Sequence, residues 1–385
     1  MILSTKANYF TESVIREMTR LSDKYNAINL SQGFPDFPSP DQLKRLACKY
    51  IMDDFNQYPI TFGEFKLRNA IAKKYENFYG LHYDPDENIT VCCGATEAMI
   101  SSLMAILNPD DEVIVFEPFY ENYWADAIIS GAKLRFVTLH RPSWHFDEIE
   151  LSKAFNSKTK AIIINTPNNP TGKVFSLEEL NIISELCQKY DAIAVTDEIY
   201  EHIVYDNLKH IPIASIDGMH GRTITVSSFS KTFSVTGWRI GYALAPKEIT
   251  DNIKKFHDFL TVGAPTPFQW ALAEAMDIME SYCDGLSGDY AKRRDIFLNG
   301  LNEIGFIFHQ VKGAFYVMVD FSNISQSMTD YEFAQMLIRD KGVASVPGTS
   351  FYNLNKREGN SMVRFCFCKK EETLGEAIKR LKVLR

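Results

Sequence analysis

Ala161-Ile-Ile-Ile-Asn165 runs into Thr166-Pro-Asn-Asn-Pro-Thr-Gly172, Ala192-Ile-Ala-Val-Thr196 into Asp197-Glu-Ile-Tyr200, and Thr223-Ile-Thr-Val-Ser-Ser228 into Phe229-Ser-Lys-Thr232. Each is an apolar run of strand length, closed by turn-forming or polar residues. The runs are nearly continuous rather than alternating, which is the pattern of strands covered on both faces. Four more runs share it between Asn88 and Ala245: Ile89-Thr-Val-Cys-Cys93, Val113-Ile-Val-Phe116, Leu134-Arg-Phe-Val-Thr-Leu139 and Ile240-Gly-Tyr-Ala-Leu244. Helical spacing of apolar residues appears between them, over Thr96–Leu107 and Leu177–Tyr190. Strands alternating with helices predict an α/β protein with a mainly parallel, seven-stranded sheet sandwiched by helices.

The pattern changes after Pro246. Long helices are predicted around Lys247–Phe259, Pro267–Tyr282 and Asp289–Ile304. Strand-like runs at 314–321, 343–347 and 362–367 then interleave with helices near Thr329–Lys341 and Glu372–Leu384. This end reads as a smaller α+β domain, completed by an amphipathic N-terminal stretch carrying Val14, Ile15, Met18 and Leu21. The expected division is a large domain over 45–285 and a small domain built from 1–44 and 286–385.

The 385 residues carry 41 basic and 49 acidic side chains, a formal charge of −8, which disfavours nucleic acid as a partner. No apolar run approaches membrane-spanning length, and Met1–Phe10 lacks the basic and apolar regions of a secretory leader. Seven cysteines with no C-x-x-C argue against a disulfide framework or a zinc ribbon, and the eight histidines show no metal spacing. A soluble, cytoplasmic protein without a bound metal is expected.

In an open α/β sheet the ligand lies beyond the carboxyl ends of the strands. Five such ends carry polar or turn residues: Gly94-Ala95-Thr96-Glu97, Glu117-Pro118-Phe119-Tyr120, Thr166–Pro170, Asp197–Tyr200 and Phe229–Thr232. Each has an ordinary reading as a turn, a helix cap or a solvated charge. Five together at one edge are harder to explain that way. The dinucleotide, Walker-type and H-E-x-x-H motifs are absent. A lysine that can condense with an aldehyde, a carboxylate that can hold a pyridine nitrogen protonated, and a helix start that can take a phosphate fit pyridoxal phosphate chemistry.

The chain resembles class I aminotransferases of fold type I, in the branch holding methionine, kynurenine and glutamine aminotransferases. The resemblance runs nearly end to end, through Asn29–Phe37, Asn56-Gln-Tyr58, Asn165–Gly172, Asp197–Tyr200, Ser227–Gly241 and Arg364–Phe367. It implies that Lys231 is the Schiff-base lysine and proton carrier, that Asp197 partners the pyridine nitrogen, and that Asn169 and Tyr200 donate to the ring oxygen. Tyr120 would stack on the ring, and Gly94, Ala95, Thr96, Ser228 and Arg239 would hold the phosphate. Tyr58 resembles the tyrosine that reaches the neighbouring subunit's phosphate, which implies a homodimer with shared sites. Arg364 would grip the substrate α-carboxylate bidentately, with the Gly33 backbone close by.

Ser228-Phe-Ser-Lys231 also satisfies S-x-x-K, but its companion S-D-N and K-T-G motifs do not occur. A carbon–sulfur β-lyase would keep the same residues, and a pyridoxal-dependent regulator would add a basic helix-turn-helix, which residues 1–40 do not show. On the substrate side, Glu97 beside the phosphate turn argues against acidic donors by like-charge repulsion. Arg68 and Lys66 read as surface charges, and His202 as packing. Ile15 in the side-chain pocket and Val262-Gly263 depart from the aromatic-rich pocket of kynurenine-type enzymes. The expected reaction is ping-pong transfer from a neutral amino acid, methionine first, with aromatic or glutamine donors also open and an aspartate or kynurenine preference as the alternative, to a 2-oxo acid.

Overall fold

The computed structural model describes residues 5–384; Met1–Ser4, part of the N-terminal stretch read for a leader, and Arg385 lie outside the described residues. Its centre is one eight-stranded sheet. In spatial order the strands are Ile89–Cys92, Gly241–Leu244, Thr223–Ser228, Ile193–Asp197, Thr159–Asn165, Glu112–Glu117, Lys133–His140 and His145–Phe146. The five from Thr223–Ser228 to Lys133–His140 run parallel, and the antiparallel pairings lie at the two edges. All seven expected strands are present. The eighth, two residues long, is too short to leave a periodic signature.

Strand residues alternate between two covered faces. Ile114, Phe116, Ile162, Ile164 and Ala194 pack with Leu180, Ile183 and Cys187 of the helix Leu177–Tyr190. Val113, Val115, Ile163, Val195, Ile224 and Val226 pack with Ala98, Met99 and Leu103 of the helix Ala95–Ile106. Burying each such aliphatic side chain stabilises the fold by about 1.5–3 kcal/mol before entropy is counted, so the strand ends are held rigidly. Capping is local: Ser176 and Glu179 form a reciprocal capping box at the start of Leu177–Tyr190.

A second sheet is antiparallel and four-stranded, ordered Ile307–Phe308, Tyr316–Asp320, Met362–Cys366 and Val346–Pro347. Ile28–Asn29 pairs with Val343–Ala344 beside it, which ties the N-terminal segment to this half of the chain. The helix Met279–Ile304 runs through the expected boundary at 285/286 without a break. Met279 and Cys283 belong to one core, while Leu286, Tyr290, Phe297 and Leu301 belong to the core of the second sheet. A continuous helix, not a linker, joins the two sheets. Among the described residues no helix is long and apolar enough to cross a membrane.

Candidate active site

A cavity of about 500 Å³ opens where the carboxyl ends of the parallel strands meet the second sheet. From the residues marked in the sequence it brings together Ile15, Gly33, Ala95, Thr96, Tyr120, Asn169, Asp197, Tyr200, Ser228, Lys231, Arg239 and Arg364. Gly94 stands just behind, as the N-cap of Ala95–Ile106 at φ +83°, where a Cβ would collide with the Arg239 guanidinium. Tyr58 is not among the lining residues; it is 85% exposed on the outside of the chain.

Lys231 is half-buried, and Nζ donates to the Gly33 carbonyl at 3.0 Å between the rings of Tyr200 and Phe315. Burial pushes its pKa below the ordinary lysine value, and Arg239 and Arg364 act in the same direction. Asp197 ends its strand inside the protein. Its Oδ2 accepts from the Tyr123 hydroxyl at 2.6 Å and Oδ1 from the Ile199 N–H at 3.3 Å. Burial raises its pKa to about 6, against those two bonds, which hold it down.

Arg364 lies on the central strand of the second sheet, opposite Met318 and Val346. It is 1% exposed, with its guanidinium 4.4 Å from the Tyr316 ring centroid and 4.8 Å from that of Phe351. Nη1 donates to Asn169 Oδ1 at 2.7 Å and Nη2 to the Ser31 carbonyl, while Nε has no partner. With its oxygen engaged by Arg364, Asn169 has its amide hydrogens to offer. The Tyr200 hydroxyl donates to that of Tyr316 at 3.1 Å, and burial holds both phenols protonated.

At the other end, the helix Ala95–Ile106 starts without a side-chain cap, so its first N–H groups and its dipole face the cavity with Thr96, Ser228, Ser230 and Arg239. Arg239 sits in the left-handed region at φ +56°, pinned by Nη1 donating to the Thr236 carbonyl at 3.0 Å. Behind the turn after Asp197, the buried Glu201 carboxylate accepts from Lys74 at 2.5 Å, Tyr79 at 2.6 Å and Ser227 at 2.8 Å. His202 is buried against the Phe78 ring, in the packing role expected of it.

Two sequence readings are overturned. Glu97 does not face substrate: it is buried, and its carboxylate engages His257 Nδ1 at 3.0 Å, the Cys93 N–H at 2.9 Å and the Ser101 hydroxyl at 2.5 Å. Successive helix residues are about 100° apart, so Thr96 and its neighbour point to different surroundings. Arg68 is no surface charge either; it is 2% exposed and donates to the Gly63 carbonyl and to Asp86, whereas Lys66 does stay in solvent. Cys92, Glu97 and His257 meet closely enough for metal ligands. His257 Nε2, however, faces the Thr61 carbonyl at 2.7 Å, so both ring nitrogens are committed as donors. Although burial opposes its charge, the Glu97 carboxylate holds the His257 pKa above its usual value.

Tyr123, Tyr316 and Asn165 went unmarked in the sequence. Tyr123 follows Tyr120 at helical spacing and could have been suspected; Tyr316 arrives from the other sheet. Because the Tyr123 bond lowers the Asp197 pKa, Tyr123→Phe is expected to move the acid limb of the kcat/KM profile to higher pH. The cost at neutral pH is roughly tenfold. A pH profile identical to wild type would show that the bond does not bear on Asp197 ionisation.

This chain belongs to the class I and II aminotransferases, whose family model matches residues 25–381. Its cofactor is accordingly pyridoxal 5'-phosphate. Among similar proteins, the probable N-succinyldiaminopimelate aminotransferase of Mycobacterium tuberculosis is 37% identical over 97% of this chain and 96% of its own. The methionine aminotransferase of Escherichia coli is 34% identical over 100% and 99%, and human kynurenine–oxoglutarate transaminase 1 is 34% identical over 95% and 94%. The solved structures of the first two superpose with TM-scores of 0.96 and 0.94, each over 100% of both chains. The cavity suits the cofactor on its own terms: a half-buried lysine, a buried carboxylate, an uncapped helix start beside an arginine, and a buried guanidinium with an unpartnered Nε.

Proposed function

We propose that the protein transfers the amino group of a medium-sized neutral amino acid, methionine foremost, to a 2-oxo acid, and that the residues gathered in the cavity have divided roles. The observation that carries this is Arg364, buried, lining the cavity, held by Asn169 and Ser31, and without a carboxylate partner among the described residues. An α-carboxylate offers that guanidinium a charged partner and is common to amino acid and oxo acid. Ile15, Phe34, Met99 and Ile199 add apolar lining suited to an uncharged side chain.

When bound, the cofactor supplies an aldehyde that captures the amine and a cationic ring that accepts the electron pair left at Cα. Lys231 anchors it and carries the proton, which a depressed pKa allows. Asp197 keeps the ring nitrogen cationic, with Tyr123 and the Ile199 N–H fixing its orientation. Asn169 would donate to the ring oxygen, as would Tyr200 once its hydroxyl turns from Tyr316 to the cofactor, and Tyr120 would lie against the ring. Gly94 lets Arg239 approach the start of the helix, where Ala95, Thr96, Ser228 and Arg239 take the phosphate.

We also propose a homodimer. Tyr58, Ile60, Phe259, Leu260 and Val262 are exposed by 85%, 48%, 92%, 47% and 50%, and their segments lie together because Thr266 donates to the Gln57 carbonyl and His257 to that of Thr61. A clustered apolar surface of this kind favours burial against another chain. Seven free cysteines suit a reducing cytoplasm.

Incubation with methionine and a 2-oxo acid tests the reading: a new amino acid supports transfer, while pyruvate with free thiol and ammonia from S-methylcysteine would assign the β-lyase reaction instead. Arg364→Lys should lower kcat/KM for every amino acid roughly 10²-fold, mainly through KM, because a point charge cannot reproduce the fork. An unchanged KM would remove Arg364 from substrate binding.

A further inference from the structure

Behind the uncapped start of the helix Ala95–Ile106 lies a buried pair of ionisable groups that the proposed reaction does not use, Glu97 and His257. Neither lines the cavity. Glu97 is the third residue of the helix, and its Oε2 reaches back to accept from the N–H of Cys93, the residue before the Gly94 cap, at 2.9 Å. That reach is one half of a capping box, and it braces the turn while leaving its Ala95 and Thr96 side to the cavity. His257 comes from the helix Lys247–Thr261 and is fully buried. Its Nδ1 lies 3.1 and 3.0 Å from the two Glu97 carboxylate oxygens, and its Nε2 lies 2.7 Å from the Thr61 carbonyl. A carbonyl can only accept, so Nε2 carries a hydrogen, and a carboxylate facing Nδ1 calls for a second. Burial opposes charge on both groups, yet their mutual hydrogen bond holds Glu97 below its ordinary pKa and His257 above its own, in favour of the ion pair.

Resting on the functional reading above, in which this helix start takes the cofactor phosphate, we infer that His257 is a positioning residue for that phosphate: it offsets the Glu97 charge and fixes the carboxylate on the Cys93 N–H without touching the cofactor. A carboxylate in the first turn stabilises a helix through the dipole, but it competes with any anion bound at the same end. Unpaired, Glu97 would oppose the phosphate from the same helical turn, too deeply buried for water to screen it. It would also offset much of what Arg239, the guanidinium at that end of the cavity, provides. Paired with a cationic imidazole, it keeps its hold on the turn and loses most of its field. The Thr61 carbonyl orients the ring, so that Nδ1 is the nitrogen presented to Glu97.

The test compares dissociation constants of pyridoxal 5'-phosphate and of pyridoxal, which lacks the phosphate, measured on the full chain freed of cofactor. In His257→Gln, where an amide can still donate a hydrogen bond but carries no charge, the constant for the phosphorylated form should rise roughly tenfold or more, while that for pyridoxal changes less than about twofold. Glu97→Gln should bind the phosphorylated form at least as tightly as wild type, and the variant carrying both substitutions should recover most of the loss, because the charge to be offset is gone. An unchanged constant in His257→Gln, or equal losses for the two ligands, overturns the role of His257 while leaving the aminotransferase reading intact. Should His257→Gln fail to fold, Glu97→Gln decides: a loss confined to the phosphorylated form would show that the Glu97 charge does not oppose the phosphate, and the inference falls. Pyridoxal bound by wild type as tightly as its phosphate ester would overturn the phosphate site itself, and the inference with it.

Discussion

Lys231→Ala is expected to lose turnover by at least about 10⁴-fold, the combined loss of a covalent anchor and a proton carrier. No neighbour can substitute. The other cations lining the cavity are Arg16, Arg239 and Arg364, and a guanidinium cannot shed its proton to act as base. The fold should survive, because among the described residues the only hydrogen bond Nζ makes is to the Gly33 carbonyl, and removing a largely desolvated cation relieves a cost. The thermal midpoint of the variant should therefore equal or exceed that of wild type. The helix start, Ser228 and Arg239 remain, so the cofactor should still bind, but borohydride treatment followed by mass spectrometry should find no pyridoxyl mass on the chain. Turnover within tenfold of wild type would remove Lys231 from the chemistry.

What could be read from the chain in advance follows a physical division. The seven longer strands of the main sheet were legible because strands covered on both faces need continuous apolar runs, and strand ends at one edge must share a site. The two-residue strand His145–Phe146 carries no such signal. Residues joined to a strand end by one turn, such as Asp197 and Lys231, could be placed from the pattern; Gly33 and Arg364, brought from elsewhere, were placed through the family resemblance, and Tyr316 was not placed at all. Charge misled twice. Arg68 and Glu97 read as solvent-facing or substrate-facing because a sequence shows ionisable groups without their partners, and Asp86 lies 18 residues from Arg68 while His257 lies 160 from Glu97. Pairing over such distances is a property of packing, not of local pattern.

Asp197→Ala is expected to lower kcat by about 10²- to 10³-fold with little change in KM, as for removal of a fixed charge that acts in the chemical step. The substrate carboxylate is assigned to Arg364, on the other sheet, so binding should persist. Asp197→Asn separates charge from shape. An asparagine can still accept from the Ile199 N–H through its one carbonyl oxygen and donate to the Tyr123 hydroxyl oxygen through its amide, yet it cannot keep a ring nitrogen cationic. If the role is electrostatic, the Asn variant should be nearly as slow as the Ala variant. If Asp197 only braces Tyr123 and the turn to Tyr200, Asn should restore most of kcat, and the ring-nitrogen assignment would fall. Burial makes the distinction sharp: a carboxylate whose pKa rises to about 6 in this setting gains most from a cation beside it, and a cationic ring is the partner the proposed chemistry brings.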